Sequence, residues 1–142
     1  MIGSAVPLFS VIGAIVVLGA TGSLFGSSPL VIAVQTGAIG LSVWARRSFP
    51  KGTFRVVAVP SGPSIIRRGP YRFVRHPMYS AALFFIWPAV LSHLSTMNLA
   101  IGLAVTLVVV ARVIAEERLL RARYPEYGEY ARSTKALVPF VV

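Results

Sequence analysis

The sequence predicts an all-α integral membrane protein, with four transmembrane helices in two hairpins, a cytosolic loop between them and a C-terminal helical tail. Three observations carry that prediction. The 142 residues are 56% hydrophobic and only 13% charged, where soluble domains average about 25% charged. Four long apolar runs are separated by two short links and one long polar stretch. The 14 Lys and Arg outweigh four Glu to give a net charge of +10. All of them lie in the long stretch or at and after the end of the last run. A soluble fold needs polar surface that this chain lacks, so lipid is the solvent that suits it.

The first run, 5–24, has 20 uncharged residues, enough for one span. No basic segment precedes it and a second apolar run follows at once, which argues against a signal peptide. The second run, 30–45, and the third, 79–94, have 16 residues each and must borrow from their flanks to span. The fourth, 97–115, has 19 residues and one charge, Arg112. An isolated strand in lipid leaves its backbone groups unpaired, so each run reads as helix. Short links, Gly26–Pro29 and Ser95–Thr96, close the two hairpins. Their tips carry no Lys or Arg, so the positive-inside bias places both termini, the loop 46–78 and the tail 116–142 in the cytosol. Small residues four apart, Ser10 with Ala14, Ala33 with Gly37 and Ala100 with Ala104, permit close helix contact. The chain reads as a single domain, 1–142.

The long stretch is broken by Pro50, Gly52, Pro60, Gly62, Pro63, Gly69, Pro70 and Pro77, so it is not one helix. It reads as a structured loop on the membrane surface, where basic residues meet anionic headgroups. The lipid bilayer is therefore the first expected partner. Nucleic acid is not expected, because the basic clusters flank apolar spans. Zero Cys excludes disulfides and thiolate chemistry. Two His and no Asp leave little from which to build a metal cage, so no metal is expected.

Two clusters hold nearly everything reactive. The first runs from Arg67 to Tyr79, at the mouth of the third helix. Pro77 suits a first helical turn, which leaves His76 at the cap position, with Tyr71 and Tyr79 offering flat, polar-tipped surfaces. This set suits a planar, partly charged cofactor, and equally an aromatic and basic interface belt. The second cluster is Arg112 to Arg121. Arg112 and Glu116 share one helix face, and Glu117 and Arg121 share another. An ionisable residue at membrane depth marks a functional site. Helix-stabilising ion pairs with a snorkelling Arg112 explain the same residues.

The order of these motifs narrows the choice. G-P-Y-R-F-V-R-H-P-M-Y leads into an apolar hairpin, followed by A-E-E-R-L-L, Y-P-E-Y-G-E-Y and Val138-Pro139-Phe140. This arrangement, from about Ser64 to Phe140, resembles the isoprenylcysteine carboxyl methyltransferase family and the related phospholipid N-methyltransferases. The resemblance implies an integral membrane enzyme that moves the methyl group of S-adenosylmethionine to a lipophilic, membrane-borne acceptor. It implies a cofactor wall of Ser64, Ile65, Ile66, Tyr71, His76, Pro77, Met78 and Tyr79. Glu116 would hold the cofactor's amino group, Glu117 would assist or be structural, and Arg112 would be the catalytic, substrate-side arginine. The expected acceptor is a carboxylate. The alternatives are a phospholipid amine, or a non-catalytic membrane interaction module.

That chemistry suits these residues. Methyl transfer from a sulfonium demands alignment of donor and acceptor above all. A carboxylate acceptor is already ionised and needs no general base, but it must be shielded from water. Arginine can grip a carboxylate by a forked contact, and tyrosine faces attract a sulfonium. His76 remains open between a base and a residue that only orients its neighbours.

Overall fold

The computed structural model describes residues 6–48 and 65–137. Ser64 and Val138-Pro139-Phe140 lie outside them. The described residues form five α-helices: α1 (Val6–Ala20), α2 (Pro29–Arg47), α3 (Pro77–Ser92), α4 (Thr96–Arg123) and α5 (Tyr127–Ser133). A single 3-10 turn, Gly69–Arg72, precedes α3. There is no named strand among the described residues, only an isolated parallel bridge between Val74 and Lys135.

Two of these helices, α2 and α4, are long and apolar enough to cross a membrane. The other apolar helices, α1 and α3, are shorter, with 15 and 16 residues. Apolar side chains point outward around the bundle, with Leu30 and Leu107 each 72% exposed. Water disfavours such a surface and hydrocarbon suits it.

Each helix end has a local cause. The first apolar run reaches Leu24, yet α1 stops at Ala20. Gly22 adopts a left-handed φ of 67°, and the Ser23 N–H donates to Leu18 O at 2.7 Å while Gly22 N–H donates to Gly19 O at 3.1 Å. These two bonds make a Schellman stop, which glycine accepts without steric cost. Both α2 and α3 begin with proline, where the absent N–H is not needed. Ser95 caps α4 by accepting from Asn98 N–H at 3.1 Å. That helix continues past the end of the apolar run at Ala115 for 28 residues in all. Glu, Arg, Leu and Ala are all strong helix formers, so the change from apolar to charged sequence does not interrupt it.

The expected pairing of α1 with α2 is corrected by the packing. Here α1 rests on α4 and α2 on α3, and α1 and α2 are not among the closely packed pairs. The early stop at Ala20 lengthens the link to Pro29, which frees α1 to lie elsewhere. The core joins Leu18 of α1, Ile86 and Val90 of α3, and Val105 and Val109 of α4. Ser10, Ala14 and Ala104 line an apolar groove between α1 and α4, together with Val17, Ile101 and Val108. Ala33 and Gly37, in contrast, are exposed on α2, so that small pair makes no helix contact.

Polar side chains also join the helices. Gln35 of α2 is 3% exposed and its amide donates to Leu24 O at 2.9 Å and to Phe85 O at 3.1 Å. Trp87 of α3 donates to Thr106 of α4 at 3.0 Å. The long loop returns to the end of α2, where Arg68 Nε donates to Ser48 O at 2.7 Å. Beyond α5, the chain runs back along the entry to α3. Arg75 N–H donates to Lys135 O at 2.8 Å, His76 N–H to Ala136 O at 3.1 Å, and Lys135 N–H to Phe73 O at 3.1 Å. Ser80 Oγ also donates to Leu137 O.

Candidate active site

Three segments converge on two adjacent carboxylates. The charged end of α4 carries Arg112, Glu116 and Glu117. The first turn of α3 and the residues before it bring Arg75, His76 and Tyr79. Segment 124–137 closes the far side.

Glu116 faces Tyr79 and Arg112. Its Oε1 accepts from Tyr79 OH at 2.9 Å and from Arg112 Nε at 2.9 Å. Arg112 Nε also donates to Tyr79 OH, at 3.3 Å. Arginine, glutamate and tyrosine thus form a closed triangle. Arg112 is only 8% exposed. Its Nη2 lies 2.9 Å from the same Glu116 oxygen, but without the alignment of a hydrogen bond, so that buried donor is unused.

Glu117 faces the other way, toward segment 124–137. Its Oε1 accepts from Arg75 Nε at 2.7 Å, and its Oε2 lies 3.4 Å from Arg121 Nη2 on the surface. Arg75 Nη1 donates onward to Ala131 O at 2.9 Å and to Thr134 O.

His76 sits between the two acids. Its Nδ1 is 3.5 Å from Glu116 Oε2 and its Nε2 is 3.6 Å from Glu117 Oε1. It holds the N-cap position of α3, but its side chain makes no capping bond. The ring turns to the acids instead and stacks on Tyr79, with centroids 5.8 Å apart and planes at 29°. Burial works against a charge on this ring, but the Glu116 and Glu117 carboxylates outweigh it and raise its pKa above the ordinary 6.5.

The tyrosines form the wall behind. Tyr124, Tyr127 and Tyr130 cluster with Ile65 and Leu120. Tyr130 OH donates to Tyr71 O at 2.6 Å, and Arg67 lies over the Tyr130 ring at 5.5 Å. Burial pushes the Tyr130 phenol up to about 12 and raises Tyr71 as well, with Tyr130 and Glu116 adding to the effect. Both are neutral donors at any physiological pH. Tyr127 is buried with its hydroxyl unpartnered.

The expected residues therefore separate into groups. Arg112, Glu116, Glu117, His76 and Tyr79 meet in one network, and Tyr71 lies beside it. Pro77 is buried at the helix start and shapes the backbone. Ile65 packs on the tyrosine cluster, while Ile66 and Met78 are half-buried. Ser64 falls outside the described residues. The sequence reading missed Arg75, Tyr127 and Tyr130. The neighbouring dipeptides Arg75-His76 and Glu116-Glu117, of opposite charge, were the available signal for Arg75.

The parts fit S-adenosylmethionine. Two carboxylates answer an ammonium, a guanidinium with an unused buried donor answers a carboxylate, and stacked rings answer a sulfonium or a base. Among the described residues, no group of three or more His, Cys, Asp or Glu is placed to hold a metal ion.

Two curated relatives share about half of the chain. It is 32% identical over 77 residues to the cobalt-zinc-cadmium resistance protein CzcN of Cupriavidus metallidurans. It is 30% identical over 76 residues to the nickel-cobalt-cadmium resistance protein NccN of Alcaligenes xylosoxydans xylosoxydans. These matches cover 54% and 53% of this chain, but only 36% of each relative. No solved structure matches. Residues 27–127, most of the chain and all of the Arg112, Glu116, Glu117, His76 and Tyr79 network, match the phospholipid methyltransferase family model. The chain belongs to the phospholipid methyltransferase family.

Proposed function

We propose that the protein transfers the methyl group of S-adenosylmethionine to a lipophilic, membrane-borne acceptor, and that the acceptor is a carboxylate. The carrying observation is the buried Arg112–Glu116–Tyr79 triangle with His76 beside it, at the end of an apolar helix in a chain of this family.

Position follows from length. A helix of 28 residues is about 42 Å long, against about 30 Å of hydrocarbon. With its first residue at one edge of the bilayer, α4 carries Arg112 about 24 Å across and Glu116 about 30 Å across, at the opposite edge. The basic clusters put that edge on the cytosolic side, with both termini, under the positive-inside bias.

When bound, S-adenosylmethionine supplies an activated methyl group for in-line displacement. Glu116 and Glu117 bind its ammonium, and Tyr79 and His76 present ring faces to its charged part. Arg112 orients the acceptor with its unused Nη2. The α1–α4 groove ends at Val108, one turn from Arg112, and suits a hydrocarbon chain. Burial of the triangle keeps water from the acceptor, which preserves its reactivity.

A phospholipid amine is the second reading, and the family's description favours it. An amine must shed a proton on methylation, and His76 lies where it can take one.

Incubation of purified protein with methyl-labelled S-adenosylmethionine and lipid extract tests both readings. Label that enters lipid and leaves as methanol in mild base identifies an ester, as proposed. Base-stable label identifies a methylated amine. Absence of S-adenosylmethionine binding would leave the non-catalytic module. For orientation, Ser133→Cys should resist an external thiol reagent and Ser27→Cys should react.

A further inference from the structure

Adjacent residues on a helix point about 100° apart, so the Glu116 and Glu117 carboxylates diverge. His76 fills the space between them, with Nδ1 toward one and Nε2 toward the other at 3.5 and 3.6 Å. Each acid already has an arginine: Arg112 on Glu116 and Arg75 on Glu117. The two ion pairs balance, so a proton on His76 is the surplus charge. The ring is in the place where an ammonium would meet both acids.

The backbone of His76 is fixed, but its ring can turn. His76 N–H is held by Ala136 O, and His76 O accepts from Tyr79 N–H, Ser80 N–H and Ser80 Oγ. Its Nε2, in contrast, is buried and makes no hydrogen bond. Losing a proton there breaks no hydrogen bond, and turning the ring about χ1 and χ2 leaves all of the backbone bonds intact.

We propose that protonated His76 is the resident cation of the Glu116–Glu117 pair, and that a cofactor ammonium binding there expels its proton. The inference rests on the S-adenosylmethionine reading above. The step balances simply. One proton passes from the imidazolium to solvent, the neutral ring turns aside about χ1 and χ2, the ammonium N–H groups take over the carboxylate oxygens, and no covalent bond of the ligand changes. Cofactor binding is then an exchange of one cation for another.

The other groups around the ring do not substitute for it. From α4 come Glu116, Glu117 and Arg112, with Arg121 reaching Glu117 from the surface. The segment before α3 gives Arg75, α3 itself gives Tyr79, and the 3-10 turn gives Tyr71. Segment 124–137 adds Tyr127 and the carbonyls of Thr134 and Ala136. Burial raises the phenols of Tyr71 and Tyr127 above their usual range. His76, raised above its ordinary 6.5 by its acids, is the group among them that gives up a proton.

Calorimetric titration of the full chain with S-adenosylmethionine at pH 6.5, in two buffers of different ionisation enthalpy, counts the protons. The ligand's own amine stays protonated there, since α-amino groups titrate at about 7.7–8.0. The expected count is between about half and one proton released per ligand. Affinity should rise up to about tenfold per pH unit from pH 6 to 7, and His76→Gln should abolish both effects. Binding with no proton release in the unaltered protein overturns the inference and leaves the methyltransferase reading intact. Release that persists in His76→Gln also overturns it. No S-adenosylmethionine binding in any buffer removes the methyltransferase reading itself. If His76→Gln does not fold, the count on the unaltered protein decides.

Discussion

Arg75 Nε donates to Glu117 Oε1 at 2.7 Å, and the same guanidinium reaches Ala131 O at 2.9 Å. One side chain thereby joins the entry to α3, the charged end of α4 and the segment after it. The Glu117 carboxylate is held toward His76 by this contact, so Arg75 is a positioning residue and does not itself touch the acceptor.

Arg75→Ala should destabilise the protein by about 1–3 kcal/mol, since it leaves two carbonyls without this donor and Glu117 with only its longer contacts to Arg121 and His76. Trypsin should then cut at Arg132 or Lys135 faster than in the parent. Arg75→Lys should recover only part of the stability, because one ammonium cannot serve three acceptors in different directions. Unchanged unfolding and unchanged cleavage in Arg75→Ala would show that the link carries no load.

Glu116→Gln and Arg112→Gln should differ in what they impair. The first removes a charged acceptor worth about 1.5–3 kcal/mol, so the S-adenosylmethionine Kd should rise by about 10- to 150-fold. The second should leave that Kd within about threefold and reduce turnover by about a hundredfold, as the acceptor loses its alignment. Equal effects of both variants in ligand titration and turnover would make the triangle a structural ion pair.

The pH dependence of stability follows from His76. Its pKa is raised in the folded state, so the folded protein holds the proton more tightly than the unfolded chain. The stabilising contribution is complete below the unfolded value of about 6.5 and is lost as pH rises through the higher folded value. Thermal unfolding of the ligand-free protein should therefore occur at lower temperature as pH is raised from 6 to 8. His76→Gln should flatten that limb. A rise in unfolding temperature over this range would contradict the sign.

Gly69 is a backbone test of the loop's return. It has φ 61°, and a Cβ there would collide with Ser48 Oγ and lie 3.3 Å from Trp44 Nε1. Gly69→Ala should cost about 1–2 kcal/mol for the left-handed conformation alone, with a steric cost added. Ser48→Ala in the same chain should relieve part of the steric cost and none of the conformational one. Full recovery by the double variant would mean that the backbone strain is absent.

Much of this architecture was legible because apolar runs and prolines act locally. Pro29 and Pro77 mark their helix starts directly, and the Arg112–Glu116 pairing is a matter of helix spacing. The end of α1 was misread because counting apolar residues ignores Gly22, whose left-handed turn stops the helix inside the run. The course of α4 past its apolar run was legible in the helical spacing of Arg112 with Glu116 and of Glu117 with Arg121. Glu116 to Arg123 are too charged for an apolar run but are good helix formers, so the helix continues without a break.

The candidate site was legible in its residue types and not in its connections. Arg75 with Glu117, Tyr130 with Tyr71, and Lys135–Leu137 along the entry to α3 all join positions far apart in sequence. No local pattern encodes such contacts. They depend on the turn after α4, which sends the last described residues back across the mouth of α3.

The unbroken course of α4 divides the site into a fixed jaw and an adjustable one. Arg112 and Glu116 stand one turn apart on a single rod, so their separation is set by helical pitch and does not vary with the ligand. His76 and Arg75 reach the same carboxylates from a different support, braced by the backbone of Lys135 and Ala136. Any widening of the site to admit a ligand must therefore occur between these two supports, and it will register as lengthening of the Arg75–Glu117 contact.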